Sequence, residues 1–205
     1  MKNILIANSK GGSGKTTLAT NLAGYFASIG NKVALSDLDR QHSATQWLIR
    51  RPAHLSKIHE YSTEKDDFKA DWLVTDSPAG LREEKLADAV KNADCIIVPI
   101  QPSAFDIGAV SDFLTVLQEE KAIRKNKTFV ALVGSRVNSR TNAAVDLAEF
   151  MDQTGFPVLA YLRNSQVYTT AAGQGLSIFD MRASLVAQDI EQWSVLLEWI
   201  KDTTQ

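Results

Sequence analysis

The stretch Ser9-Lys10-Gly11-Gly12-Ser13-Gly14-Lys15-Thr16-Thr17, one residue after the apolar run Ile4-Leu5-Ile6-Ala7, restricts the fold more than any other part of the chain. Glycines let a backbone curl until several N–H groups point at one anion. A helix starting at Lys15 adds the positive end of its dipole at the same point. Strand, glycine-rich turn, Lys-Thr pair and helix in that order make a phosphate-binding loop; a glycine-rich turn that binds nothing rarely carries all four. In such a loop Lys15 reaches the β- and γ-phosphates of ATP, and the Thr16 hydroxyl ligates Mg2+.

Beyond the loop, short apolar runs alternate with segments of helical period. Strands are expected at 3–7, 32–36, 72–76, 95–100, 129–134 and 158–161, with one edge strand and a loop within 53–70. Helices are expected at 15–28, 43–50, 81–92, 107–124, 143–153 and 185–201. This alternation predicts an α/β fold: a mostly parallel twisted sheet with helices on both faces. Ligands in such folds sit at the carboxyl ends of the strands, where Asn8, Asp37, Asp39, Asp76 and Gln101 fall. No linker, repeat or low-complexity stretch divides the 205 residues, so a single domain spanning 1–205 is expected.

Charge and cysteine content exclude several classes. The formal net charge is −2, so any nucleic-acid binding must come from a local basic patch. The one cysteine, Cys95, lies in the apolar run Cys95-Ile96-Ile97-Val98 and reads as a buried small hydrophobe; it rules out a disulfide framework and disfavours a cluster bridging two copies. His42, His54 and His59 lack metal-ligand spacing. With no bilayer-length apolar segment and no signal peptide, a soluble cytoplasmic protein is expected.

The loop departs from the standard phosphate-loop pattern: Ser9 stands where the first glycine belongs, and Lys10 follows it. This Lys-Gly-Gly-x-Gly-Lys-Thr form resembles the deviant Walker A motif of the ParA/MinD family of P-loop ATPases, and most of all the small plasmid-type ParA proteins. The resemblance extends along most of the chain. Asp37-Leu38-Asp39 is similar to the family's switch I element, with Arg40-Gln41 where many ParA proteins have Pro-Gln. Val74-Thr75-Asp76-Ser77-Pro78-Ala79-Gly80 is similar to its Walker B strand and switch II.

From that resemblance the site residues follow. Gly11, Gly12, Ser13, Gly14, Lys15, Thr16 and Thr17 hold the phosphates. Lys10 crosses a dimer interface to the partner's phosphates. Asp39 orients the attacking water near the metal, and Asp76 holds Mg2+, through water, beside Thr16. Ser135-Arg136-Val137-Asn138, after the strand at 129–134, lies near adenine, with Arg136 and Asn138 as the candidate contacts; so does 164–177, which resembles the family's loop before the last helix.

The function implied is that of an ATPase, slow on its own, that dimerises with ATP, binds DNA without sequence preference and positions a plasmid, chromosome or cytosolic body. A ParB-like or other adaptor would stimulate hydrolysis, and the protein would associate with the nucleoid. Candidate DNA contacts are Lys121, Arg124, Lys125 and Lys127, and separately Arg163 and Arg182; the bland alternative for the first group is a solvated helix end. A MinD-like membrane switch is the first rival. Against it, the last helix sets Asp189, Glu191 and Glu198 beside Lys201, and its Trp193, Leu196, Leu197 and Ile200 face suits core packing. A metabolic P-loop kinase or ligase is the second rival; Lys10 and the Asp-x-Asp pair argue against it.

Overall fold

The computed structural model describes residues 1–62, 67–81 and 83–204. Among them the elements run β1 (Lys2–Ile6), α1 (Lys15–Ser28), β2 (Val33–Asp37), α2 (Ser43–Arg50), β3 (Ile58–Glu60), β4 (Trp72–Asp76), α3 (Glu83–Asn92), β5 (Cys95–Ile100), α4 (Ala104–Glu119), α5 (Lys121–Arg124), β6 (Phe129–Val137), α6 (Asn142–Gln153), β7 (Val158–Arg163), α7 (Gln166–Gly173), a 3-10 turn (Ile178–Asp180), α8 (Ala183–Glu191) and α9 (Ser194–Thr203).

The strands form one sheet in the order β3-β2-β4-β1-β5-β6-β7, and every pair is parallel. Alternating side chains send each strand into two cores. On one face Ile4, Ile6, Val33, Leu35 and Ile97 pack with α1, α2 and the C-terminal helices; on the other Leu5, Ile96, Val98 and Leu132 pack with α3, α4 and α6. Cys95 is fully buried in the first core, as its apolar run predicts. The sheet order reverses beside β1, which makes its carboxyl end the topological switch point where α/β sheets bind ligands. Register sets the ends level: Ile6 lies beside Asp76, and Asp76 beside Asp37.

Three segments differ from the sequence expectation. The helix expected at 107–124 starts earlier, at Ala104, capped by the Ser103 hydroxyl, and stops at Glu119; Glu120 is extended, and Lys121–Arg124 forms a separate turn. Entry to β6 forces that break: the buried Thr128 hydroxyl donates to the Val90 and Ala93 carbonyls, at 2.9 and 2.8 Å, so the chain must fold back before it. The terminal helix expected at 185–201 is two helices, parted at Gln192 and Trp193. There Gln192 Oε1 accepts the Arg163 amide at 3.0 Å, and the Trp193 indole donates to the Tyr168 hydroxyl at 2.9 Å. The segment 164–177, expected as loop, contains α7, whose start Ser165 caps by accepting the Val167 amide. Within 53–70 the edge strand is β3; residues 63–66 of that span, and residue 82 of the expected 81–92 helix, lie outside the described residues.

Trp193, Leu196, Leu197 and Ile200 are buried in the first core. No helix among the described residues is long and apolar enough to cross a membrane.

Candidate nucleotide site

The loop between β1 and α1 is held from several sides before any ligand arrives. Asn8, buried at the end of β1, donates to the Pro99 carbonyl at 2.7 Å and accepts the Lys10 amide at 2.9 Å. The Ser9 carbonyl accepts the Gly80 amide at 3.0 Å, its hydroxyl donates to the Ala109 carbonyl at 3.2 Å, and the Gln101 amide donates to the Gly12 carbonyl. Strand ends on both sides thus fix the curl. Gly14 cannot be replaced in it: its φ is 105°, and a Cβ there would lie 2.5 Å from the Ser135 hydroxyl oxygen.

Charge is buried at the base of this loop. Lys15 is 6% exposed, and its ammonium donates to the Lys10 carbonyl at 2.8 Å. Burial lowers its pKa, while Asp76 and Asp39 pull it back up. Asp76 is fully buried. One of its oxygens accepts the Thr16 hydroxyl at 2.7 Å; the other has no hydrogen-bond partner among the described residues, and neither does the buried Ser13 hydroxyl. Burial pushes the Asp76 carboxyl up to about 7 against the pull of Thr16, with Asp37 adding to the rise.

An orphaned buried carboxylate oxygen beside a threonine hydroxyl is a set of hard oxygen donors suited to Mg2+. The residues present therefore fit the ion: Thr16 and Asp76 would hold it, and it would neutralise phosphate charge.

Asp37 and Asp39 divide their work. Both Asp37 oxygens are occupied, one accepting the Asp39 amide at 3.0 Å and the other the Thr45 amide at 2.8 Å, so Asp37 shapes the turn into α2. Asp39 accepts the Gln41 amide at 3.0 Å and lines the phosphate cavity. The turn closes with Arg40 in the place where proline is common.

Two cavities meet along this edge. One, of about 720 Å3, is lined by Gly11, Gly12, Gly14, Lys15, Thr16, Asp39 and Gly80. The other, of about 520 Å3, is lined by Ser135, Asn164, Tyr168 and Thr169. Gly14, Thr17 and Arg136 line both. Through these three shared residues the first cavity adjoins the second. Among the residues expected near adenine, Arg136 stands at the joint with φ 53°, and Asn138 lines an adjoining depression of about 390 Å3 that shares Arg163 and Asn164 with the second cavity. Tyr168 and Thr169 belong to the 164–177 segment expected near adenine, and Ser135 to the run at the end of β6 expected there; Ser165 is the readable signal that the segment starts a helix rather than a loop.

Lys10 directly precedes Gly11, the first residue lining the larger cavity. Its ammonium is 3.2 Å from Asp106 in the first turn of α4. The DNA candidates are scattered. Lys121, Arg124, Lys125 and Lys127 are exposed at the amino end of β6, the opposite edge of the sheet from the phosphate loop. Arg182 is exposed at the start of α8. Arg163 is committed inside the chain: it pairs with both oxygens of the buried Asp189 at 2.7 Å and with Gln188 at 2.7 Å, and the Asp189 hydrogen bond raises its pKa. Among the described residues no cluster of His, Cys, Asp or Glu could hold a metal unaided.

Residues 4–178 match the family model described as the CobQ/CobB/MinD/ParA nucleotide binding domain. A maintenance of carboxysome distribution protein A from Gloeobacter kilaueensis is 30% identical over 190 residues, covering 87% of this chain and 84% of the relative. Its namesake from Halothiobacillus neapolitanus is 27% identical over 202 residues, covering 92% and 93%. The fold matches an ATP complex of a Cyanothece McdA variant with a TM-score of 0.76 over 99% of this chain and 96% of that one, at 18% identity.

Proposed function

Because this chain belongs to the CobQ/CobB/MinD/ParA family of nucleotide-binding domains, we propose that it is an ATPase that closes into a dimer on binding ATP and positions a cargo. The observation that carries the reading is Lys10. It directly precedes Gly11, the first residue lining the phosphate cavity, its ammonium turns to Asp106 on α4, and a third of its side chain is exposed. A second copy brought face to face would receive it at its own phosphates. In each copy Lys15 and the loop amides bind the phosphates, Thr16 and Asp76 hold Mg2+, and Asp39 orients the water that attacks the γ-phosphate. Hydrolysis is slow until an adaptor protein stimulates it.

In the closed state the dimer binds duplex DNA through phosphate contacts, with Arg182 and the Lys121 to Lys127 run as the exposed candidates. Relatives matched over most of their length are named for carboxysome distribution, which favours a cytosolic protein body as the cargo over a replicon. A membrane matrix is disfavoured, since the apolar face of α9 is used in the core.

Light scattering with ATP, ADP and no nucleotide tests the switch. A doubling of mass with ATP alone is expected, lost in Lys10→Ala while ATP still binds. A parent that stays monomeric, or a Lys10→Ala protein that dimerises like the parent, would overturn it.

A further inference from the structure

Every polar group of Lys10 is engaged within its own chain. The amide donates to Asn8, the carbonyl accepts Lys15, and the ammonium lies 3.2 Å from the Asp106 carboxylate. Asp106 is well placed to keep it there. It sits in the first turn of α4, a 16-residue helix whose amino end favours the ionised carboxylate, and its side chain is only 13% exposed. The cap Ser103 fixes that turn by accepting the Asp106 amide. Two further bonds tie the same junction to the loop, from Ser9 to Ala109 and from Gln101 to Gly12. The ammonium and the carboxylate are therefore carried on one braced unit.

An ammonium that must reach a neighbour's phosphates has to exchange one counterion for another. From this geometry we propose that Asp106 is a positioning residue for Lys10. It holds the ammonium over its own loop until a second, ATP-loaded copy offers phosphate oxygens, and so sets the protein concentration at which two copies close. The proposal rests on the dimerising reading above. It predicts a specific direction: removing the Asp106 charge makes closure easier, because Lys10 then leaves no partner behind. A residue that merely supported the fold would make closure harder.

The test measures the midpoint of ATP-dependent dimerisation by light scattering over a protein dilution series, for the parent, Asp106→Asn, Asp106→Glu, Lys10→Ala and the Lys10→Ala/Asp106→Asn double variant. Asp106→Asn should shift the midpoint to about 3- to 5-fold lower protein concentration, the size expected for releasing a partly exposed ion pair. Asp106→Glu should return it toward the parent, and the double variant should behave as Lys10→Ala does. Added salt should lower the parent's midpoint toward that of Asp106→Asn.

A second readout works without nucleotide. Reductive methylation of Lys10, followed by mass spectrometry of the folded protein, should run faster in Asp106→Asn than in the parent. A parent that dimerises while Asp106→Asn closes at the same or higher concentration overturns this proposal alone. A parent that never dimerises removes the reading beneath it as well.

Discussion

The Thr16 hydroxyl and the Asp76 carboxylate, sixty residues apart in sequence, meet at 2.7 Å and join the first turn of α1 to the end of β4. That bond satisfies one carboxylate oxygen and leaves the other buried with no hydrogen-bond partner among the described residues, where it could ligate a cation. Burial disfavours this charge, and a cation bound beside it would offset that cost.

A pH dependence follows for the free protein. The Asp76 carboxyl titrates near 7 when folded against an ordinary value of 3.8. A carboxyl whose folded pKa is raised stabilises the fold fully below the unfolded value, and that contribution is lost as pH rises through the folded one. Asp76→Asn should therefore gain stability relative to the parent as pH rises from about 4 to about 7, by on the order of a few kcal/mol. Thermal melts of both proteins across that range check it; a constant difference would refute it.

The same group governs metal uptake. Mg2+ and ATP together need the ionised carboxylate, so binding should release a proton and weaken as pH falls below about 7. Calorimetry in two buffers of different ionisation heat should detect that proton in the parent and not in Asp76→Asn.

Gly14 supplies a test of the loop itself. Gly14→Ala forces an L residue to φ 105° and drives a methyl into Ser135, at a cost of roughly 1–3 kcal/mol. Its melting temperature should fall and its ATP affinity should drop below detection, whereas Ser135→Ala in the same background should recover part of the stability and little of the binding. Denaturant melts and equilibrium binding separate the two effects.

Asp39→Ala should bind ATP and dimerise but turn over at least 100-fold more slowly, because water orientation is lost while the phosphate contacts remain. Lys15→Ala should fail at the earlier step, nucleotide binding. Single-turnover hydrolysis set beside nucleotide affinity distinguishes them.

Arg163 and Arg182 should separate cleanly. Arg163→Ala leaves Asp189 buried without its partner and should lower the melting temperature, whereas Arg182→Ala should not. In a salt series on random duplex DNA with ATP, each phosphate contact adds about −0.9 to the slope of log affinity against log salt. Arg182→Ala, or neutralising the Lys121 to Lys127 run, should flatten that slope, and an unchanged slope in both would remove these residues from the DNA surface.

Much of this molecule could be read from the chain because its informative residues act locally. The loop glycines, the Lys15-Thr16 pair and the apolar strands each determine their own neighbourhood, and α1, α2 and β5 fall at the expected bounds. What could not be read depends on distant partners. Nothing in Glu119-Glu120-Lys121 marks a helix end; the break is set by Thr128 bonding to the carboxyl end of α3. The split between α8 and α9 is likewise set by Gln192 and Trp193 reaching β7 and α7. In the site, Asp37 and Asp39 look alike in sequence, and only the amides each accepts show which shapes the turn.

The indole of Trp193 is wholly buried, and its N–H donates to the phenol of Tyr168, which lines the second cavity of the candidate nucleotide site. The chain thus carries its own optical probe. A purine entering against Tyr168 alters the polarity and hydrogen bonding that set the emission of that indole. Stopped-flow fluorescence of the unlabelled protein should follow nucleotide arrival and departure in real time, with Trp193→Phe silencing the signal.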